Sequence, residues 1–178
     1  MCAIEITPAI STERLLLRGP VANDAARITE LANDINVAGR VSRMPYPYGI
    51  ADAETWLETV ARFDWDRDAV FAIEHHAFGL VGMIGVTHRN GERPELGYWL
   101  GRPFWNRGYA TEAARAALKW VKRDWRKRLV VSGHFCDDPA SGAVLCKAGF
   151  LYTGEVELRP CLARGGAKVP TRMMVWLA

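Results

Sequence analysis

The run Trp99 to Ala114, WLGRPFWNRGYATEAA, ends a strand, passes through a loop holding Gly108 and opens a long helix almost at once. The first amides of a helix lack intrahelical acceptors and sit at the positive end of its dipole, so such a junction can grip an anion. Gly108 lets a phosphate approach without a side chain in the way, and Ala110 and Ala113 keep that approach open. A plain strand-to-helix connection would use the same glycine for its turn and the same alanines for packing, and residue types alone leave both readings standing. The chain has no GxxxxGK[ST] and no GxGxxG, so the usual nucleoside triphosphate and dinucleotide sites are not indicated.

A second cluster is DPASGAVLCKAGF, residues 138 to 150. Asp138 reads as a helix cap, Pro139 as a first-turn residue and Gly149 as the stop. Ser141 lies on the first turn, where it is either a local cap or a donor aimed at a reacting group. Period-two alternation in PELGYWL puts Glu95, Gly97 and Trp99 on one strand face and Leu96, Tyr98 and Leu100 on the other. The first set is the expected cleft face, with Glu95 either a proton acceptor working through water or an ordinary strand-end glutamate. Glu112 is expected to complement the helix dipole or pair with Arg115. His134 and Cys136 share a strand face, but no further ligands converge on them, so ordinary strand residues are the better reading and no metal is expected. The segment KWVKRDWRKR, residues 119 to 128, places six basic residues around Trp120 and Trp125. That mixture can meet RNA, yet basic residues at a helix end also complement the dipole.

These groups need a scaffold. RLLLR at 14 to 18 reads as a strand stopped by Gly19-Pro20. Asn23 or Asp24 then caps a helix whose stripe is Ile28, Leu31, Ala32 and Ile35. The segment 39 to 49, GRVSRMPYPYG, cannot propagate a helix and reads as a functional loop presenting Met44, Tyr46 and Tyr48. Asp52 is expected to cap a second helix that turns Trp56, Leu57, Val60, Ala61 and Phe63 inward. AVFAIE, GLVGMIGVTH and PELGYWL form a meander, with turns at His75-His76, expected to be solvated, and at Arg89-Asn90-Gly91. A helix over 108 to 124, a strand RLVVSGHF, the capped helix after Asp138 and strands near 150 to 158 and 168 to 177 complete one α/β domain, residues 1 to 178. Its 178 residues, 49% hydrophobic and 24% charged, need neither disulfide nor structural metal to hold a core. A net charge of +3 does not argue for a polyanion partner. No apolar run approaches the roughly 20 residues of a membrane span, and the scattered cysteines fit a reducing compartment, so a cytoplasmic location is expected.

The run WNRGYATEA followed about 30 residues later by DPASGAVLCKAGF resembles the GNAT superfamily of acetyl-CoA-dependent N-acetyltransferases, in particular the branch with ribosomal-protein N-terminal acetyltransferases. TERLLLRGP, ELGYWL and the last strand match in order and spacing. The resemblance implies a mixed, mostly antiparallel sheet of about seven strands with helices on both faces, splayed between its fourth and fifth strands to admit the coenzyme. It places the coenzyme's pyrophosphate on the backbone of Trp105, Asn106, Arg107, Gly108, Tyr109 and Ala110, with Trp105 replacing the usual Gln or Arg. It adds Asp138 and Lys147 to the coenzyme contacts, Asp138 standing where the family has Asn, which alters a contact needing a donor. The family's thiol-protonating Tyr falls at Leu145, so Ser141 becomes the candidate donor. The implied reaction is attack of a neutral amine on the thioester. An α-amine of pKa about 7.7 to 8.0 is about 10% neutral at pH 7, against about 0.04% for a lysine. The expected acceptor is a small-molecule amine or a protein N-terminus, selected by Tyr46, Tyr48 and the glycine-containing segment 159 to 169. Nucleic acid enters only through a ribosomal substrate, and a homodimer is compatible with the sequence. The competing expectation is a coenzyme-binding regulatory or interaction module with little transfer.

Overall fold

The computed structural model describes residues 7–88 and 93–178; the turn expected at Arg89-Asn90-Gly91 lies outside the described residues. Along the chain run β1 (Ile10–Ser11), β2 (Leu15–Arg18), α1 (Ala25–Ala32), α2 (Ile35–Ala38), α3 (Ile50–Val60), β3 (Ala69–His75), β4 (Gly79–His88), β5 (Pro94–Leu100), α4 (Tyr109–Asp124), β6 (Leu129–Phe135), α5 (Pro139–Ala148), β7 (Leu151–Cys161) and β8 (Ala167–Leu177). The strands make one sheet in the order β1-β2-β3-β4-β5-β6-β8-β7. Eight strands stand where about seven are expected, because Ile10–Ser11 adds a two-residue pair to β2.

The sheet is two antiparallel halves joined by one weak seam. The β2–β3, β3–β4 and β4–β5 pairs are antiparallel, as are β6–β8 and β7–β8. Strands β5 and β6 run parallel and share only the pair Glu95 and Val131, then diverge. These are the fourth and fifth strands counted from Leu15, so the splay falls where the resemblance puts it.

Each face of the sheet carries its own apolar cluster. One gathers Leu15, Leu17, Phe71 and Ile73 against the alanines of α4 and Leu145 of α5. The other gathers Ile28, Ala32, Ala53 and Leu57 of α1 and α3 over Ala72 and Met83. Alternation along β3 sends Phe71 and Ile73 to one side and Ala72 to the other, which is why helices are needed on both. In α4, Ala113, Ala114 and Ala117 are fully buried. Such small side chains bring the helix axis close to the strands.

Several local expectations need correction. Helix α1 stops at Ala32, and Ile35 opens the separate α2, 42% exposed, because Asp34 caps a new helix through the Asn36 amide. Helix α3 begins at Ile50, before Asp52, whose carboxylate reaches back to the Gly49 amide at 2.8 Å from the third helical position. Ala61 and Phe63 lie beyond its end, Ala61 exposed. His75 is no solvated turn residue. It closes β3, stacks on Phe78 with ring centroids 4.6 Å apart and tilts against Tyr109 at 4.9 Å. Trp120 is buried edge-on against Phe71, and the Trp125 indole donates to the Trp65 carbonyl at 2.8 Å. Those indoles belong to the core, so the basic segment offers no stacking platform. The segment 159 to 169 is the end of the β7–β8 hairpin. Its Gly165 and Gly166, at φ of 66° and 77°, make the turn, and Leu162 N donates to Ser42 O at 3.1 Å. The glycines therefore serve turn geometry in a tip tethered to the loop after α2.

Candidate active site

The junction before α4 is built from unusual backbone. Asn106 has φ of 60° and Gly108 has φ of 81°, so the chain turns sharply and sets the amides that follow toward one point. The first bond of this helix start is from Glu112 N to Gly108 O at 3.0 Å. Among the described residues, no backbone carbonyl accepts from the amides of residues 106 to 111, which leaves a set of donors that an anion could take. The Trp105 indole, far from capping those amides, is pinned to the end of β5 by a 2.8 Å bond to Leu100 O. A Cβ on Gly108 would meet Arg14 Nη2 at 3.3 Å in a backbone conformation that side chains rarely adopt.

Glu112 fixes this junction in place. It accepts from Thr12 Oγ1 at 2.7 Å, from the Arg14 amide at 2.9 Å and from Arg14 Nε at 2.8 Å, while Arg14 Nη1 donates to Arg107 O at 3.0 Å. Burial works to raise the Glu112 carboxyl, but these bonds and the Arg14 charge hold it below the usual carboxylate range. The expected pairing with Arg115 is not made: Arg115 donates instead to Lys147 O at 2.6 Å and 3.0 Å, tying α4 to the end of α5.

A cleft of about 340 Å³ runs from Asn106, Gly108 and Tyr109 between β5 and α5 to Ser141, Tyr98 and Arg40, with Lys147 on its wall. Its strand side offers open backbone. Leu96 O accepts from Ser132 Oγ at 2.9 Å and so faces β6. Gly101 N donates to Val81 O at 2.9 Å and faces β4. By alternation the peptide groups of Tyr98 face the splay, where among the described residues no strand pairs with them. The Tyr98 hydroxyl crosses the gap to donate to Ser141 O at 3.1 Å. Burial pushes the Tyr98 phenol up, with the hydrogen bond to Ser141 opposing and the Asp138 charge adding, so Tyr98 is a standing donor and not a base.

The start of α5 is a charged knot. Asp138 is buried and caps the helix, accepting from Ser141 Oγ at 2.6 Å, and it is ion-paired to Arg40 from the loop after α2. The Arg40 guanidinium also lies over the Trp105 ring, 4.7 Å from its centroid. One arginine thus links the loop 39 to 49, Trp105 at the junction before α4 and the α5 cap. The Asp138 carboxylate only accepts, and the guanidinium held against it is a donor beside it.

On the opposite face a cavity of about 320 Å³ lies between α3 and strands β4 and β5, sharing Val41, Tyr98 and Trp99 with the first cleft. Glu95 and Gly97 line it, as does Tyr48; Tyr46 is 45% exposed and takes no part in the lining. Glu95 is held by Arg159 of β7, at 2.5 Å from Nη1 and 3.3 Å from Nη2. Burial and the charge of Asp52 push the Tyr48 phenol up to about 12.

The structure therefore gathers Trp105, Asn106, Gly108, Tyr109, Ala110, Ser141 and Lys147 around one cleft, keeps Asp138 buried behind Ser141, and sets Glu95 and Tyr48 around the adjoining cavity. Arg107 turns away, its guanidinium 5.8 Å from the Phe78 ring centroid. His134 is buried, with Nδ1 2.9 Å from Phe135 O and Nε2 3.0 Å from the Tyr152 hydroxyl, while Cys136 is exposed. Among the described residues no three His, Cys, Asp or Glu side chains come together to hold a metal ion. Sequence reasoning passed over Arg40, Tyr98 as a cross-splay tie and Arg159. The signal for the two arginines was weak: carboxylates at Asp138 and Glu95, inside the expected site, call for cations that sequence spacing does not identify.

A family model described as an acetyltransferase (GNAT) domain matches residues 14–151. Solved structures share the fold over nearly the whole chain. An acetyltransferase of the GNAT family from Bacillus anthracis superposes with a TM-score of 0.81 at 22% identity, covering 96% of this chain and 98% of that one. A ribosomal L7/L12 alpha-N-protein acetyltransferase in complex with coenzyme A gives 0.81 at 16% identity over 96% and 98%. A spermidine N-acetyltransferase from Vibrio cholerae, in complex with CoA and spermine, gives 0.76 at 17% over 93% and 96%.

Proposed function

The chain belongs to the acetyltransferase (GNAT) family and is an acetyl-CoA-dependent N-acetyltransferase, and from that premise we propose that it acetylates a primary amine by direct attack on the thioester. The observation that carries the site assignment is the set of unpartnered amides from 106 to 111 at the mouth of a cleft whose other wall is the open edge of Tyr98. Acetyl-CoA, when bound, supplies an activated acetyl carbonyl and a thiol leaving group. The residues present suit it: the amide cradle with Gly108 for the diphosphate, the Tyr98 peptide for an amide of the pantetheine arm, and Arg115, Lys119, Arg123 and Lys147 along the adjoining groove of about 710 Å³ for the 3'-phosphoadenosine end.

At the inner end Ser141 and Arg40 offer donors. The Ser141 proton is engaged by Asp138, so its transfer toward sulfur requires that bond to be exchanged, and Arg40 keeps a positive charge beside the exit of the thiol. The proton lost by the amine passes to water, with Glu95 the carboxylate in the acceptor cavity lining. An α-amine or other amine of modest basicity needs no stronger base at pH 7. The hold of Asp138 on Ser141 favours, as a second reading, a coenzyme-binding module with little transfer. Two measurements decide: calorimetric titration with CoA, which must show binding that Gly108→Val removes, and thiol release from acetyl-CoA across a panel of amines. Binding without thiol release from any amine would support the second reading, and absence of binding would end both.

A further inference from the structure

We infer that the acceptor is an amine carried on an aromatic or similarly large flat apolar group, a reading that rests on the acetyltransferase site above and names its substrate class. Gly97 sits in the middle of a central strand, yet a Cβ built there meets no atom within 4 Å. Its cross-strand partner is Gly85, where a Cβ would press on Val70 Cγ2 at 3.0 Å and Ala69 O at 3.2 Å. Gly85 is thus favoured by packing, whereas no described atom crowds a side chain at Gly97. The empty side of Gly97 opens into the cavity of about 320 Å³, whose floor is bare backbone at Gly97 with Val70 leaning over Gly85 beside it, and whose walls include Met44, Tyr48, Trp56, Phe63, Met83 and Trp99. A slot with a backbone floor and aromatic walls takes a flat apolar group.

Charge narrows the class further. The carboxylate among the described lining residues is Glu95, and it is clamped by Arg159. Arg43, exposed at the rim, has no carboxylate within ion-pair distance among the described residues. Within this cavity a second cation on the acceptor would meet an arginine and a carboxylate already held by another, so a polyamine lying inside it is disfavoured by like-charge repulsion and lost solvation. Because the cavity meets the coenzyme cleft at Val41, Tyr98 and Trp99, an amine one or two carbons from the ring points toward the thioester end while the ring rests over Gly97. The amine lone pair then forms the N–C bond to the acetyl carbon, the C–S bond breaks with its electron pair leaving on sulfur, the amine proton passes to water and the sulfur takes a proton back.

The test is thiol release from acetyl-CoA with phenylethylamine, tryptamine, peptides beginning with Phe or Trp, peptides beginning with Ser or Ala, and spermidine, for the wild-type protein and Gly97→Leu. Aromatic acceptors are expected to show kcat/KM about 10-fold or more above the others, and Gly97→Leu, which fills the slot from an uncrowded position, to lose about 10-fold or more on them. CoA affinity by calorimetry is expected to stay within about 2-fold in that variant. The free amines and the aromatic-headed peptides distinguish a small-molecule source from a protein N-terminus. Preference for spermidine or Ser and Ala peptides, turnover of aromatic amines unaffected by Gly97→Leu, or no aromatic turnover by a protein that binds CoA each overturns the inference while the coenzyme site stands. Failure to bind CoA overturns the acetyltransferase reading itself.

Discussion

Replacing Arg40 by Ala removes the cation from a buried carboxylate. The Asp138 side chain is 2% exposed and keeps only its bonds from Ser141, whereas the Arg40 side chain is 37% exposed. Breaking a fully buried pair costs about 3 to 5 kcal/mol, but water reaches the Arg40 side of this one. The expected loss is therefore roughly 1 to 2 kcal/mol, or about 2 to 8 °C in Tm for a domain of this size. Asp138→Asn removes the charge and keeps a good helix cap, so it should cost under about 1 kcal/mol. In the double variant no buried charge is left alone, and its stability should match Asp138→Asn to within about 0.5 kcal/mol. Urea unfolding of the four proteins, with equal m-values as the check on two-state behaviour, measures the coupling directly. Additive losses, with a coupling below about 0.5 kcal/mol, would refute the claim that Arg40 neutralises Asp138. The same four proteins titrated with CoA show whether the pair also sets coenzyme affinity, as its contact with the Trp105 ring and the cleft leads us to expect.

Gly108→Val is expected to lower CoA affinity more than about 10-fold, since a branched side chain covers the amides and disfavours φ of 81°; unchanged affinity by calorimetry rules the phosphate cradle out. Ser141→Ala is expected to lower kcat by more than its effect on the Kd of CoA, and equal turnover removes Ser141 from the reaction. For pH, Glu112 and Asp24 both sit below their ordinary range in the folded protein: burial raises each, and hydrogen bonds to arginine and backbone donors outweigh it. A carboxyl depressed in the folded state stabilises fully above its unfolded pKa, about 4.3 for Glu and 3.9 for Asp, and loses that contribution as pH falls through the folded value. Urea stability should therefore fall on acidification below about pH 4.5. Glu112→Gln should cost about 1 kcal/mol at pH 7 and flatten that acid limb; an identical acid limb in the variant contradicts the assignment.

Much of the fold and part of the site were legible in the residues alone. The alanine stripe of α4, the Asp138-Pro139 start and Gly149 stop of α5, and the branched runs of β3 to β5 are local signals, because capping, φ preference and periodicity depend on neighbours a few positions away. The sharp turn into α4 was legible for the same reason, since a glycine before a helix sets local backbone direction, whereas an anion site there remained one of two readings of the same residues. Tertiary structure decided what depends on long-range partners. Glu112 chose Arg14 over Arg115 because β2 runs beside the start of α4, some 98 residues away in sequence. Arg40 reached Asp138 across the same sequence distance, and Arg159 reached Glu95 from the far half of the sheet. Alternation could say that Glu95, Gly97 and Trp99 share a face, but not that α3 leaves Gly97 uncovered. Local rules fix backbone direction, while pairing of charges and the shape of an empty space depend on which distant segments meet once the sheet has closed around its core.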